Sequence, residues 1–288
     1  MQITQTHFVP PTITPMRLQE YGVGIFSAIP TKSALKKALK KAYITVNAKV
    51  AGTATVITGG ETITLTIPEE TTTGKKLILP LEVLYEDEYL ALVNKPAGIV
   101  VSGNSFKTVA NALAQNLKPS KQPDASVPQP VHRLDLATTG TLLVGKTLGS
   151  IRALNKMFED KEVEKVYFAV TIAKMKPSGS ITAQVDDKAS HTEYIVHDSL
   201  VSERFGNLNL VELRPRTGRR HQLRKHLSGL GNPILGDKEY TPENLILKGK
   251  GLYLHAHSLK FRHPFTHETL HIQTGLPKKF KKLFPNSE

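Results

Sequence analysis

The sequence predicts a mixed protein of strands and helices, in which a small leading unit is followed by a larger one. Three observations carry this. Ser33-Ala-Leu-Lys-Lys-Ala-Leu-Lys-Lys-Ala42 repeats its apolar residues at helical spacing. Tyr43–Asn47 and Glu61–Ile67 alternate apolar and polar residues as half-buried strands do, with the turn pair Gly59-Gly60 before the second. From Leu81 onward, strand-like and helix-like stretches alternate with no internal repeat and no dinucleotide fingerprint.

Residues 1–13 are polar with a Pro-Pro pair and read as an irregular lead-in. The small unit is expected over residues 14–70. In its helix Leu35, Ala38, Leu39 and Ala42 share one face, Lys36, Lys37, Lys40 and Lys41 the other, and Ser33 is the expected N-cap. A lysine face is most often just solvated. Here no acid stands between Lys32 and Lys49, so the face is electropositive and suits a polyanion. Glu69–Lys76 reads as a linker. In the larger unit Leu81–Val93 carries strand signals around a turn at Glu86–Glu88. Thr141–Gly145 and Val166–Val170 read as buried strands flanking a helix from Leu148 to Lys161. The Pro-, Ser- and Gln-rich stretch Lys118–Pro130 is expected to be a flexible surface loop, and Lys278–Lys282 a solvated basic tail.

Composition narrows the function. Lys and Arg total 38 against 25 Asp and Glu, a formal charge of +13, which favours nucleic acid as partner over an anionic membrane surface. No stretch approaches the roughly 18 apolar residues of a membrane span. The opening residues lack a signal peptide's basic and apolar blocks. With no cysteine, disulfides, thiol nucleophiles and thiolate metal sites are excluded. A cytoplasmic protein fits, with a monomer as default.

Two segments carry chemistry. In Val131-His-Arg-Leu-Asp-Leu-Ala-Thr-Thr-Gly140 a charged run leaves a Pro-rich stretch and enters an apolar strand through a small-residue turn, which puts Asp135 at the mouth of a sheet. An Asp before Thr-Thr-Gly is more commonly a turn cap, and the residues alone leave both readings open. In Arg214–His226 there are six Arg or Lys, two His and no acid. If a helix starts after Thr217-Gly218, Arg220 and Arg224 share a face and Leu223 and Leu227 another. Guanidinium groups match phosphate oxygens in pairs, so a binding cleft is the better reading than a bare basic helix.

These residues, in order, resemble the RluA family of pseudouridine synthases. His132-Arg-Leu-Asp135 with Thr139-Gly140 is similar to its catalytic signature and Glu164–Val170 to its tyrosine strand. Thr217–Arg219 and His221–Arg224 with Pro233–Asp237 are similar to its arginine motif. Tyr85–Glu88 and Asn94–Gly98 resemble the opening of its catalytic domain, and Leu254–Ala256 and His263–Thr266 its closing strands. The resemblance runs over residues 81–276. Two departures are visible: Thr138-Thr139-Gly140 replaces the usual Thr-Ser-Gly, and Arg220 stands where a small hydroxyl residue is usual. Within residues 14–70, Arg17-Leu18, the Ser-Ala-Leu-Lys-Lys helix, Ile44–Asn47 and Gly59–Thr62 resemble the S-four-like RNA-binding module, with Gln19 where an acid is usual.

The resemblance implies an α+β fold, in which the small RNA-binding domain precedes a catalytic domain with a mixed, mostly antiparallel sheet, flanking helices and a central cleft. It implies isomerisation of uridine to pseudouridine in structured RNA, with ribosomal RNA favoured over transfer RNA. The reaction has no net redox or hydrolysis, so no cofactor or metal is implied. Asp135 would be the catalytic carboxylate, Arg224 its partner, and Tyr167 would stack on the target base and assist the late deprotonation at C5. Arg133, His132, Arg219 and Arg220, with Lys36, Lys37, Lys40 and Lys41, would contact RNA. Three rivals are an RNA-binding protein on the same scaffold without catalysis, a metal hydrolase built on His255, His257, His263, His267 and His271, and a glycosidase. The last needs two cooperating acids, and only Asp135 stands in a motif.

Overall fold

The computed structural model describes residues 3–68 and 77–286 and divides into two compact units, Met1–Lys76 and Leu77–Glu288. The linker expected at Glu69–Lys76 lies outside the described residues.

In the first unit β1 (Ile3–Phe8), β2 (Met16–Arg17), α1 (Leu18–Tyr21) and α2 (Lys32–Lys40) are followed by β3 (Ile44–Val46), β4 (Lys49–Val50), β5 (Val56–Ile57) and β6 (Thr62–Ile67). The order β1-β6-β3-β4 makes an antiparallel sheet, and β2 pairs with β5. The irregular lead-in expected over residues 1–13 is thereby corrected: β1 pairs with β6 and belongs to this unit, which does not start at residue 14. Leu35, Ala38 and Leu39 of α2 are buried against Ile44, Ile63 and Leu65, which fixes the helix by its apolar face. That leaves Lys36, Lys37, Lys40 and Lys41 exposed. The cap is Thr31, not Ser33: its hydroxyl accepts the Ala34 N–H at 3.2 Å. The helix also stops before Ala42, which is left-handed at φ 57° and exposed. At Gly59, φ is 123° and a Cβ would meet the Pro11 carbonyl oxygen at 2.4 Å, so only glycine fits that turn.

The second unit runs β7 (Glu82–Glu86), β8 (Leu90–Lys95), α3 (Val109–Asn116), β9 (Ala125–Pro130), β10 (Thr139–Thr147), α4 (Leu148–Glu159), β11 (Glu164–Ile172) and β12 (Ser178–Ile181). It continues with β13 (Thr192–Ser202), β14 (Gly206–Pro215), α5 (Gln222–Gly229), β15 (Leu254–Arg262), β16 (Thr269–Gln273) and α6 (Lys278–Lys281). Ten strands form one sheet, ordered β12-β13-β14-β11-β15-β10-β8-β7, with β16 on β15 and β9 on β10. Its pairings are antiparallel except the short parallel contact of β10 with β15, Thr139↔His255 and Gly140↔Ala256.

Both faces of β8 and β10 are covered. Ala91, Val93, Leu142 and Val144 pack with Val109, Ala112 and Leu113 of α3. Leu90, Leu92 and Leu143 pack with Leu154 and Met157 of α4. This two-sided burial explains the unbroken apolar runs in those strands. Helix α4 starts on a capping box made by Thr147 and Ser150, and ends at Glu159 because Lys161 is left-handed at φ 64°.

Three expectations for this unit are corrected. Lys118–Pro130 is not all loop, since β9 pairs with the end of β10. Its prolines are tolerated because a strand at the sheet margin need not donate every N–H. The C-terminal lysines are not a free tail: Phe280 and Phe284 are buried in the main core, and Lys279 lies 4.4 Å above the Tyr253 ring and donates to the Leu252 carbonyl. Helix α5 begins at Gln222, so Arg220 precedes it and shares no helical face with Arg224, whereas Leu223 and Leu227 are buried together.

Candidate active site

The segment that carries Asp135 is held from beneath. Gly140 has φ 115°, and a Cβ there would fall 2.0 Å from the Ala256 carbonyl oxygen, so the glycine is what lets β10 lie against β15. The Thr139 hydroxyl meets His255 Nδ1 at 2.7 Å, which gives the departure from Thr-Ser-Gly a physical reading: either residue supplies the hydroxyl. Buried Lys95 donates to the carbonyls of Thr138 at 2.7 Å, Pro96 at 3.0 Å and Leu136 at 3.3 Å. Burial, opposed by the nearby Asp135, brings the Lys95 ammonium down to about 8. The Asp135–Thr138 turn is closed by the Asp135 main-chain carbonyl, which accepts the Thr138 N–H at 3.1 Å. Its carboxylate is therefore not used as the turn cap.

That carboxylate opens on a cleft of about 190 Å³ whose lining includes Arg133, Lys165, Tyr167, Arg220, His221 and Arg224. Asp135 Oδ2 is 3.7 Å from Arg224 Nη1, and Oδ1 is 3.7 Å from His221 Nε2. Both are close enough for attraction and too long for a hydrogen bond. Arg224 spends its hydrogen bonds elsewhere. Its Nε and Nη2 grip Asp237 bidentately at 2.7 and 2.8 Å, and Nη2 reaches Glu239 at 3.1 Å. The expected Asp135–Arg224 pair is thus a loose one, with Asp237 the main partner. Although burial works against the charge, Asp237, Asp135 and Glu239 hold the guanidinium above its ordinary value. Asp237 is itself buried, and Arg224 with the N–H groups of Glu239 and Tyr240 holds it below the ordinary carboxylate range despite that burial.

His221 caps α5 in a left-handed conformation, φ 55°, with Nδ1 at 2.9 Å from the Tyr240 hydroxyl. The preceding turn is tied down by Gln222, whose side chain accepts from Thr217 Oγ1 and Arg219 N and donates to the His191 carbonyl and Thr192 Oγ1. Arg219 also lines the cleft and donates to the Ala189 carbonyl. Burial and the facing Asp135 push the Tyr167 hydroxyl well above its ordinary value, so it is a neutral donor and an apolar ring at working pH.

Asp135, Tyr167, Arg224, Arg133, Arg219 and Arg220 therefore meet around one cleft. His132 does not join them: Nε2 accepts the Leu143 N–H at 2.9 Å and the ring stacks on Phe158 at 4.6 Å. Burial, with Lys165 nearby, brings it down to about 3, so it is a neutral pin between its turn and β10, not an RNA-contacting cation. The lysines of α2 belong to the other unit. His255 is held neutral at about 4 by burial and by His257. Among the described residues no three His, Asp or Glu side chains stand at metal-ligating spacing. Lys95, His221 and Asp237 lie within the motifs quoted above without an individual role there, and Tyr240 lies outside them. A buried arginine in a block without acids was the available signal, because it requires a carboxylate from elsewhere in the chain.

A family model described as RNA pseudouridylate synthase matches residues 89–229. A ribosomal large subunit pseudouridine synthase D of Vibrio cholerae is 32% identical over 303 aligned residues, covering 96% of this chain and 92% of that protein. A ribosomal large subunit pseudouridine synthase C of Pasteurella multocida is 34% identical over 233 residues, 75% of this chain and 71% of that one. Among solved structures, human RNA pseudouridylate synthase domain containing 4 superposes with a TM-score of 0.57 at 28% identity, covering 69% of this chain and 90% of that one. The chain belongs to the RluA family of RNA pseudouridine synthases.

Proposed function

We propose that Asp135 is the catalytic carboxylate of this pseudouridine synthase and that its substrate is large-subunit ribosomal RNA. The observation that carries the first part is the Asp135 carboxylate facing the cleft, near two cationic or polar groups but hydrogen-bonded to neither. The reaction breaks C1′–N1, turns the uracil, forms C1′–C5 and moves a proton from C5 to N1. A carboxylate with free lone pairs can act at the sugar as nucleophile at C1′ or as base at C2′. Arg224 Nη1, 3.7 Å away, sets a positive charge beside this carboxylate without taking up its lone pairs. The names of the relatives support the second part. A cytoplasmic, monomeric enzyme completes the proposal. The test is to incubate the purified chain with an unmodified large-subunit ribosomal RNA transcript and map pseudouridine. New pseudouridine at one or a few uridines is expected. Modification of transfer RNA alone would overturn the substrate and leave the reaction standing.

Tyr167 is assigned to the base. With its hydroxyl held neutral, phenolate chemistry is disfavoured, so the ring's stacking is its main contribution. Base–aromatic stacking is worth roughly 1–3 kcal/mol. Tyr167→Phe should therefore slow turnover by less than about tenfold, and Tyr167→Ala by about tenfold more than that. Single-turnover rates on both variants check this, and equal, negligible effects would remove Tyr167 from the site.

The first unit is assigned to RNA binding through its S-four-like pattern and exposed lysine face. Among the described residues no salt bridge engages Lys36, Lys37, Lys40 or Lys41. Replacing all four with Ala should raise KM for folded RNA and lower the log–log salt slope by about 0.7–0.9 per lost phosphate contact, with kcat largely kept. Unchanged affinity and slope with a fallen kcat would contradict this assignment.

A further inference from the structure

Beside the catalytic cleft lies a second recess that the reaction does not use. It is lined by Lys161, Glu164, Lys165, Arg214, Pro215 and Arg216, and it shares Lys165 and Pro215 with the cleft. The two therefore adjoin at these residues. Most of its charges are already answered: Arg214 reaches Glu212 at 2.5 Å, Arg216 reaches Glu193 at 3.0 Å, and Glu164 faces Lys260 at 3.5 Å. Lys165 differs. It is half-buried, and among the described residues it has no salt bridge and no side-chain hydrogen bond. Burial, then the charge of Lys161 on the same recess, lower its proton affinity. Its positive charge also acts on the neighbouring His132.

A half-buried ammonium with no counter-ion, in a recess that holds a second lysine, is unfavourable in the free protein, and an arriving anion relieves it. The position says which anion. Lys165 and Tyr167 are two residues apart on β11, and despite the irregular pairing with β15 between Val166 and Tyr167 both line the cleft, at a spacing of roughly 6.5–7 Å for a strand. That is comparable to one nucleotide step of an extended RNA strand. With Tyr167 at the uracil, Lys165 falls at a neighbouring backbone linkage. Arg214 and Arg216, already paired with carboxylates, wall the recess and are poor sources of new bonds.

We propose that this recess binds one phosphodiester of the RNA strand flanking the target uridine, with Lys165 as its anchoring cation and Lys161 beside it. The inference rests on the cleft being the place of isomerisation. It accounts for a cation held at the cost of fold stability: the site is electrostatically incomplete until RNA arrives. One seated phosphate next to the target also gives the extruded nucleotide a fixed pivot.

The experiment pairs a protein change with an RNA change. The RNA is a short fragment containing a uridine that the wild-type enzyme isomerises, made with a single neutral methylphosphonate at each of the two linkages on either side of that uridine. Affinities are measured for wild type, Lys165→Met and Lys165→Arg. On wild type, one of the four linkages should cost roughly tenfold in affinity when neutralised, as befits a charge-assisted bond. Lys165→Met should lose a similar factor on unmodified RNA, lower the salt slope by about one unit, and lose nothing more at that linkage. Lys165→Arg should keep most of the affinity and the linkage effect. The thermal midpoint of Lys165→Met should not fall, since the change removes a half-buried charge and keeps the aliphatic stem. Lys161→Ala, at an exposed position, gives a second variant that should weaken the same linkage effect.

Additive losses at all four linkages, or unchanged affinity in Lys165→Met, would overturn the proposal. An Asp135→Asn enzyme that still turned over would instead remove the cleft as the reaction site. That outcome is read in turnover and the linkage coupling in binding, so the two failures are distinguishable.

Discussion

Asp135→Asn should abolish isomerisation, with the single-turnover rate falling by about a thousandfold or more. The amide keeps the shape of the side chain and loses the anion, and the neighbouring acids cannot replace it. Asp237 and Glu239 are committed to Arg224 by hydrogen bonds. Stability should change by less than about 0.5 kcal/mol, because Asp135 makes no side-chain hydrogen bond within the fold that the amide would lose. RNA affinity should hold or rise slightly, since one negative charge has left a basic cleft. The measurement is pseudouridine formation on the mapped substrate, with circular dichroism and binding run on the same preparation. Turnover near the wild-type rate would end the assignment of Asp135 and remove this cleft as the reaction site.

Such a variant probes a part of the molecule that was open to reading from sequence. Motifs made of contiguous residues could be placed because local chemistry determines their local structure. Asp135 before a small-residue turn, Tyr167 in an apolar strand and the arginines after Thr217-Gly218 all reach one cleft. The strands around them were legible for a similar reason: Leu90–Val93 and Leu142–Val144 are buried on both faces, and their unbroken apolar runs say so. What stayed hidden depends on contacts distant in sequence. His132 reads as a charged neighbour of Arg133, yet Phe158 and the Leu143 N–H claim it. Lys278–Lys282 reads as a solvated tail because its lysines outnumber its one apolar residue, but Phe280 inserts into the core and sets the segment's fate. Lys118–Pro130 has the composition of a loop, and only pairing with β10 makes part of it a strand. The carboxylate that aims Arg224 is thirteen residues further along the chain, in a turn-rich run with no periodicity to expose it.

Arg224→Met should damage both the fold and the reaction, and a second change should separate the two. Removing the guanidinium leaves Asp237 buried and without its charge partner, and breaking such a pair costs about 3–5 kcal/mol. For a unit of this size that corresponds to a fall of roughly 10 °C in the thermal midpoint. The pH dependence follows from the sign of the shift. In the wild type Asp237 is held below its ordinary value, so its contribution is present above the unfolded carboxylate value of about 3.9 and is lost as pH falls through the folded value. In Arg224→Met the same carboxyl is buried without its cation and rises above that value. The variant's deficit should therefore be largest near neutral pH and shrink on acidification. Adding Asp237→Asn removes the stranded charge while keeping an oxygen for the N–H groups of Glu239 and Tyr240, so the double variant should recover much of the lost stability. Activity should not return with it. Asp237 holds the guanidinium so that Nη1 faces Asp135 at 3.7 Å, and neither Met nor Asn supplies a positive charge there. Thermal melts across pH and single-turnover rates on both variants decide the matter. A double variant that regained stability and turnover together would reduce Arg224 to a structural strut. One that regained stability alone assigns it to setting a positive charge beside Asp135 and orienting that carboxylate for the sugar.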